Sequence, residues 1–186
     1  MGEPARRTSY DEYLALFEDD ARFEYHDGVA VAMVPPSADH ARLAGRLIEL
    51  LRARLDGACT ALPAGLRVRV EATNRTLLPD MTVVCGALER SKIDPQGITN
   101  PRAIVEVLSP STADYDLGPK FHHYRRIAIL EEYVTVAQDR RFVSIARRVG
   151  DLWSFEDVGS GGTLKLHGIE LRVDELYRDA LGVIVD

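Results

Sequence analysis

The chain has 186 residues, is 46% hydrophobic and 28% charged, and carries a net charge of -6. That size suits one domain with a real hydrophobic core, and the acidic balance excludes a protein that coats nucleic acid through bulk charge. No apolar run approaches about 20 residues, which excludes a membrane-spanning helix, and the N-terminal MGEPARRTSYDEY lacks the apolar centre of a signal peptide.

The first element is a helix announced by Ser9 with Glu12 three residues on, a capping-box spacing. Tyr10, Tyr13, Leu14 and Phe17 share one of its faces. RFEYH and VAVAM then flank Asp27-Gly28, a strong hairpin signal. After Pro35-Pro36, Ser37 caps a long helix with the apolar stripe Leu43, Leu47, Ile48, Leu51 and Leu55, and Gly57 is its expected stop. LRVRVEA and LPDMTVVCG read as strands separated by a turn at residues 73–76, and the loop 86–100 carries Gly, Asp-Pro and Asn-Pro breakers.

PRAIVEVL is a strand, SPST a loop, and a helix is expected from Asp116 to Arg126. EEYVTVAQ and RRFVSIARR form a hairpin about Asp139-Arg140; LWSF, a GSGG turn, TLKLHGIELRV and a short helix near Val173 complete the order. This predicts a single α/β (mixed α+β) domain, a central mixed sheet flanked by helices. Its expected parts are an N-terminal helix and hairpin over 9–34, a core over 37–137, and C-terminal strands with a short helix over 138–186.

Cys59 and Cys85 lie 26 residues apart with no CxxC or CxxxH around them, which predicts reduced, buried thiols in a cytoplasmic protein. His122-His123 and His167 lack metal-ligand spacing and are expected on the surface. Ser109 to Thr112 has no GxSxG frame and is expected to cap or shape a loop. Neither a P-loop nor GxGxxG is present, so no nucleotide cofactor is expected. Residues 117–148 hold seven Lys/Arg against three acids, a local +4 on an acidic body.

Three charges stand where a core is expected. Glu106 interrupts the run Ala103 to Leu108, with Ile104, Glu106 and Leu108 on one side and Ala103, Val105 and Val107 on the other. An unpaired carboxylate there costs several kcal/mol or more, so it must be neutralised, paired or bound to a cation. Asp80 heads the apolar run Met81 to Val84, where β propensity disfavours it; turn hydrogen bonding alone is the competing explanation. At about 100° per residue from Asp116, Lys120 falls in the sector of Leu117, Phe121, Tyr124 and Ile127, pointing at the sheet. Two carboxylates with a lysine suit Mg²⁺ bound together with a phosphate, the kit of phosphodiester hydrolysis.

Pro79-Asp80, then Glu106 in an apolar strand, then Lys120 resembles the PD-(D/E)XK nuclease superfamily, and more closely its Uma-two restriction-endonuclease family. FEYHDG, His40 on the long helix, LLPDMTVV, PRAIVEVLSPST and the Asp116, Lys120, Tyr124 spacing carry the likeness, as do LEEYVTVAQDRRFVSIARR, Trp153 and IELRVDELY. The superfamily lysine would stand at Leu108; the resemblance implies that it has moved to the next helix as Lys120. It also implies a restriction-endonuclease-like core, Glu24 as a further catalytic acid, and Mg²⁺ (with Mn²⁺ able to substitute) at Asp80, Glu106 and the Val107 carbonyl. From the residues alone, Glu24 before a DG turn is a solvated cross-strand partner. The expected activity is a DNA endonuclease. A silent nucleic-acid or protein interaction module, and a structural pairing of Lys120 with Glu106, stay open. Duplex symmetry favours a homodimer, with the aromatic face of the first helix or the hairpin edge as its contact.

Overall fold

The computed structural model describes residues 7–19, 22–109 and 112–178, so Pro110 and Ser111 of the SPST loop lie outside the described residues. Ser9 and Glu12 close the expected capping box on α1 (Tyr10–Ala15). β1 (Phe23–His26) and β2 (Ala30–Ala32) pair antiparallel. Asp27 and Gly28 between them take φ of 48° and 94°, the double left-handed turn that a tight hairpin requires. Ser37 accepts from the His40 N–H and starts α2 (Ala38–Arg52), which ends before the predicted Gly57 stop.

β3 (Cys59–Pro63), β4 (Arg67–Val70), β5 (Arg75–Leu77), β6 (Met81–Cys85), β7 (Gly97–Ile98) and β8 (Ala103–Leu108) follow. A helical crossover then runs as α3 (Ala113–Tyr115), a π turn (Asp116–Lys120) and α4 (Phe121–Tyr124), beginning three residues before the expected Asp116. β9 (Glu132–Ala137), β10 (Phe142–Val149), β11 (Leu152–Gly159), β12 (Thr163–Leu166), β13 (Ile169–Arg172) and α5 (Val173–Leu176) complete the chain.

Two sheets result. One has the order β2-β1-β5-β4-β7, the other β11-β10-β9-β8-β6-β3, and β12-β13 is a separate hairpin. β8 and β9 run parallel, joined by the helical crossover, while β6 is antiparallel to β8. The six-stranded sheet is apolar on both faces, as a central sheet covered on both sides must be. On one face α2 lays Leu43, Leu47, Leu50 and Leu51 against Met81, Val83, Val105, Val107 and Val134, with α5 and the β12-β13 hairpin beside it. Each such leucine contributes about 1.5–3 kcal/mol on burial. On the other face Val84, Ile104 and Tyr133 meet Val68, Val70 and Leu77 of the second sheet and Phe121, Tyr124 and Ile127 of the crossover. The alternation read along β8 is therefore the alternation between two cores.

The π turn corrects one expectation. Leu117, projected onto the apolar sector, is 52% exposed, whereas Lys120, Phe121, Tyr124 and Ile127 are buried. A π turn accommodates more than 3.6 residues, so the wheel loses phase across it and Leu117 swings outward. The aromatic face of α1 also turns inward: Tyr13 is fully buried, and Tyr10 and Tyr13 pack on Tyr25 with centroids 5.0 and 5.2 Å away. Part of that face is thus consumed within the chain, while Tyr10, Leu14 and Phe17 stay half-buried. Val29, Val31 and Val34 on the outer side of the first hairpin stay exposed. Among the described residues no helix is long and apolar enough to cross a membrane.

Candidate active site

Residues 78–80 carry the chain from β5 in one sheet to β6 in the other, and the expected site residues gather at that seam. Glu24 comes from β1 and Glu106 from β8, so the two acids belong to different sheets. Lys120 descends on them from the π turn and is only 3% exposed. Its Nζ lies 2.9 Å from Glu106 Oε1 and 3.4 Å from both Glu24 Oε1 and Asp116 Oδ1. Glu24 is thus a buried member of the cluster and not a solvated cross-strand partner.

Asp80 forms the open side of the group. Its Oδ2 accepts the Val107 N–H at 2.8 Å, and its Oδ1 lies 2.8 Å from His40 Nε2 on α2. Its side chain is 19% exposed against 2–6% for Glu24, Glu106 and Asp116, so solvent and ligands reach the cluster past Asp80. Glu24 is held from two further sides: Leu78 N–H donates to Oε1 at 3.1 Å, and His26 Nε2 lies 2.9 Å from Oε2. The Tyr115 hydroxyl stands 3.1 Å from the same His26 nitrogen. Tyr133 donates to the Asp116 carbonyl at 2.7 Å and anchors the π turn to β9.

The electrostatics follow from burial in a shared enclosure. Burial pushes the Glu106 carboxyl well above the usual range, with Lys120 pulling against it and Asp80 and Asp116 reinforcing it. Burial also raises Asp116, again opposed by Lys120. For Glu24 burial pushes upward too, but Lys120, His26 and the Leu78 N–H together hold it below the ordinary value. Burial would lower Lys120; Glu106, Glu24 and Asp116 outweigh it and hold its pKa well up.

Three carboxylates, those of Glu24, Glu106 and Asp116, surround a single lysine, and Asp80 stands at the open side. The histidines His26 and His40 each touch one acid, and among the described residues the buried Tyr124 hydroxyl has no hydrogen-bond partner. A cluster with more acid than base, lined by oxygen atoms and open past Asp80, fits a hard divalent cation. Each Asp80 oxygen keeps a second lone pair beyond its present bond. Sequence reasoning named Asp80, Glu106, Lys120 and Glu24; His26, Tyr115 and Tyr133 it did not. His26 was visible in FEYHDG two residues after Glu24, the spacing that puts both side chains on one face of a strand.

The cysteines and His167 depart from expectation. Cys59 and Cys85 are not reduced buried thiols: they form a disulfide between β3 and β6, where they are direct register partners with Cα atoms 4.0 Å apart, and both are half-buried. His167 is not a free surface residue, since its Nε2 lies 3.2 and 3.1 Å from the two sulfurs. Strand pairing between residues 26 apart leaves no local signature, which is why neither was legible.

Comparison with known proteins agrees with the architecture. An uncharacterised protein of Synechocystis sp., slr1290, is 32% identical over 180 residues, covering 94% of each chain. A second uncharacterised Synechocystis protein, sll1609, is 30% identical over 142 residues, 75% of this chain and 80% of its own. A crystal structure from Anabaena variabilis, titled a "putative nuclease belonging to DUF820", superposes with a TM-score of 0.76 over 92% of this chain and 98% of its own. At 16% identity that likeness speaks for the fold. The family model Uma2, described as "Putative restriction endonuclease", matches residues 10–174, and the chain belongs to that family.

Proposed function

We propose that the cluster is the centre of a metal-dependent DNA endonuclease. The observation that carries this reading is the imbalance of three buried carboxylates about one lysine, with half-buried Asp80 at the open side, in a chain of a nuclease-like family. Asp80 and Glu106, with the Val107 carbonyl, would hold Mg²⁺, and Mn²⁺ would substitute. When bound, the ion supplies Lewis-acid stabilisation of charge on the phosphoryl oxygens. His40 fixes the Asp80 carboxylate, and the Val107 N–H fixes its other oxygen. Lys120, kept protonated by its three acids, donates to the phosphate or orients the attacking water. Glu24 and His26 steady the lysine from the second sheet.

A basic groove lies on the same crossover as Lys120. Arg125 and Arg126 are exposed just past α4, on the rim of a groove that Trp153 and Phe155 line. Phe121, next to Lys120, packs on both aromatic rings at 5.1 and 5.8 Å. This is the basic stretch on which an acidic protein would meet DNA. A homodimer would present two such centres to the two strands of a duplex.

Nicking of supercoiled plasmid tests the reading. Mg²⁺ and Mn²⁺ should support cutting and Ca²⁺ should bind without it, while Asp80→Asn, Glu106→Gln and Lys120→Met should each abolish it. Calorimetric Mn²⁺ binding should fall with the first two. Protein that binds no divalent ion and variants that match the parent throughout would establish a silent interaction module instead. Light scattering should give twice the 20.7 kDa chain mass.

A further inference from the structure

We propose that Cys59, Cys85 and His167 form a redox-gated binding site for a divalent cation of the zinc class, separate from the acid cluster. Cys59 opens β3, Cys85 closes β6, and His167 sits in the turn between β12 and β13. One ligand atom from each lies within 4.8 Å of the others. Two sulfurs and an imidazole nitrogen are the donors that zinc prefers, and they are poor ligands for Mg²⁺.

The histidine is held for this position. Its φ of 47° lies in the left-handed region, where His, Asn and Asp are the side chains most often found. Its backbone N–H donates to Glu132 Oε2 at 2.6 Å, which fixes the turn against the start of β9. The ring then turns Nε2 to the sulfurs, and Nδ1 lies 3.8 Å from Glu131 Oε2. Glu131 stands just beyond hydrogen-bond reach of that far nitrogen, where a small side-chain rotation would supply the outer carboxylate usual at metal sites.

With the disulfide closed, the sulfurs are bonded to each other and neither is a thiolate that can hold an ion. A phosphine or dithiol reductant supplies two electrons and is itself oxidised, to the phosphine oxide or its disulfide. Two protons go to the sulfurs as the S–S bond breaks. A binding cation displaces those protons, leaving two thiolates. Tetrahedral bonds of about 2.3 Å to sulfur and about 2.0 Å to nitrogen put the sulfurs about 3.8 Å apart and each about 3.5 Å from the nitrogen. From the present 3.1–3.2 Å, rotation about the cysteine side chains suffices for the second distance. All three residues are half-buried, so water can take the fourth position. Asp80 and Cys85 lie at opposite ends of β6, about 17 Å apart at the rise of a strand, so the two sites stay distinct.

Cobalt titration of the phosphine-reduced, anaerobic protein tests this. One equivalent of Co²⁺ should produce thiolate charge-transfer bands in the near ultraviolet and tetrahedral d–d bands in the visible, both erased by Zn²⁺. Oxidised protein should show neither. Cys85→Ser should remove most of the charge-transfer intensity. His167→Asn, chosen because Asn tolerates the left-handed turn, should shift the d–d bands, and Glu131→Gln should weaken binding on the order of 10-fold. Asp80→Asn should leave every band in place. Reduced protein with no thiolate bands, or bands identical in His167→Asn, would overturn the proposal and leave the pair a plain cross-link.

Discussion

Replacing Lys120 by methionine keeps an apolar stem of similar length and removes the ammonium. In the native protein that ammonium lies 2.9 Å from Glu106 and 3.4 Å from Glu24 and Asp116, with 3% of the lysine exposed. Deleting one partner of a buried pair costs about 3–5 kcal/mol, or about 10 °C in Tm for a chain of this size. Glu106 can relieve part of that cost by taking up a proton, since burial already holds its carboxyl well above the usual range. The folded variant then binds one more proton than the unfolded chain wherever the pH exceeds the ordinary glutamate value of about 4.3 but not the raised one. With the folded pKa raised, this stabilisation is complete below the unfolded value and is lost as pH rises. The slope is about 1.4 kcal/mol per pH unit for one proton. Urea unfolding of parent and Lys120→Met across a series of pH values should show the variant weakening more steeply toward alkaline pH. Glu106→Gln added to Lys120→Met should recover much of the loss, because both halves of the main pair are then gone. A variant as stable as the parent at every pH, or one that gains stability as pH rises, refutes the role of Lys120 as a buried counter-charge.

Asp94, wholly enclosed, receives both Arg67 Nε and Nη2 at 2.7 Å, and burial, which would raise its carboxyl, is outweighed by Arg67 so that it sits below the usual range. Asp94→Asn should cost about 3 kcal/mol at neutral pH. The parent's contribution is present above about 3.9 and lost as pH falls below it, so acid titration of unfolding should converge the two proteins; parallel curves would count against the pairing. Tyr177→Phe removes a hydroxyl that donates to the Ala137 and Phe142 carbonyls at 2.6 and 2.9 Å. A loss of about 1–3 kcal/mol in urea unfolding is expected; a midpoint equal to the parent's would show that water replaces the phenol.

How much could be read before any coordinates depends on whether the signal is local. Glu106 was legible because a charge breaks an apolar run, and Asp80 because it opens one. Lys120 was placed inward by a wheel that the π turn distorts, and the answer held because Lys120 and Tyr124 sit on its inner side; Leu117, on the outer side, was misplaced. Glu24 could not be oriented from β1 alone, since four residues of alternation do not say which face meets a second sheet. β3 went unrecognised because CTALP has neither β-branched density nor clean alternation, and with it went the Cys59–Cys85 register. Contacts across sheets are set by tertiary packing, where propensity has no say.

The seating of Glu24 on one sheet and Glu106 on the other has a kinetic consequence. A chain with only the six-stranded sheet formed has Glu106 and Asp80 in place, but Glu24 and the Leu78 N–H that fixes it are not yet docked against them. One holding only the five-stranded sheet has no Glu106 and no seat for Lys120. The cluster is completed only when the two sheets dock, so it cannot form before both are in place.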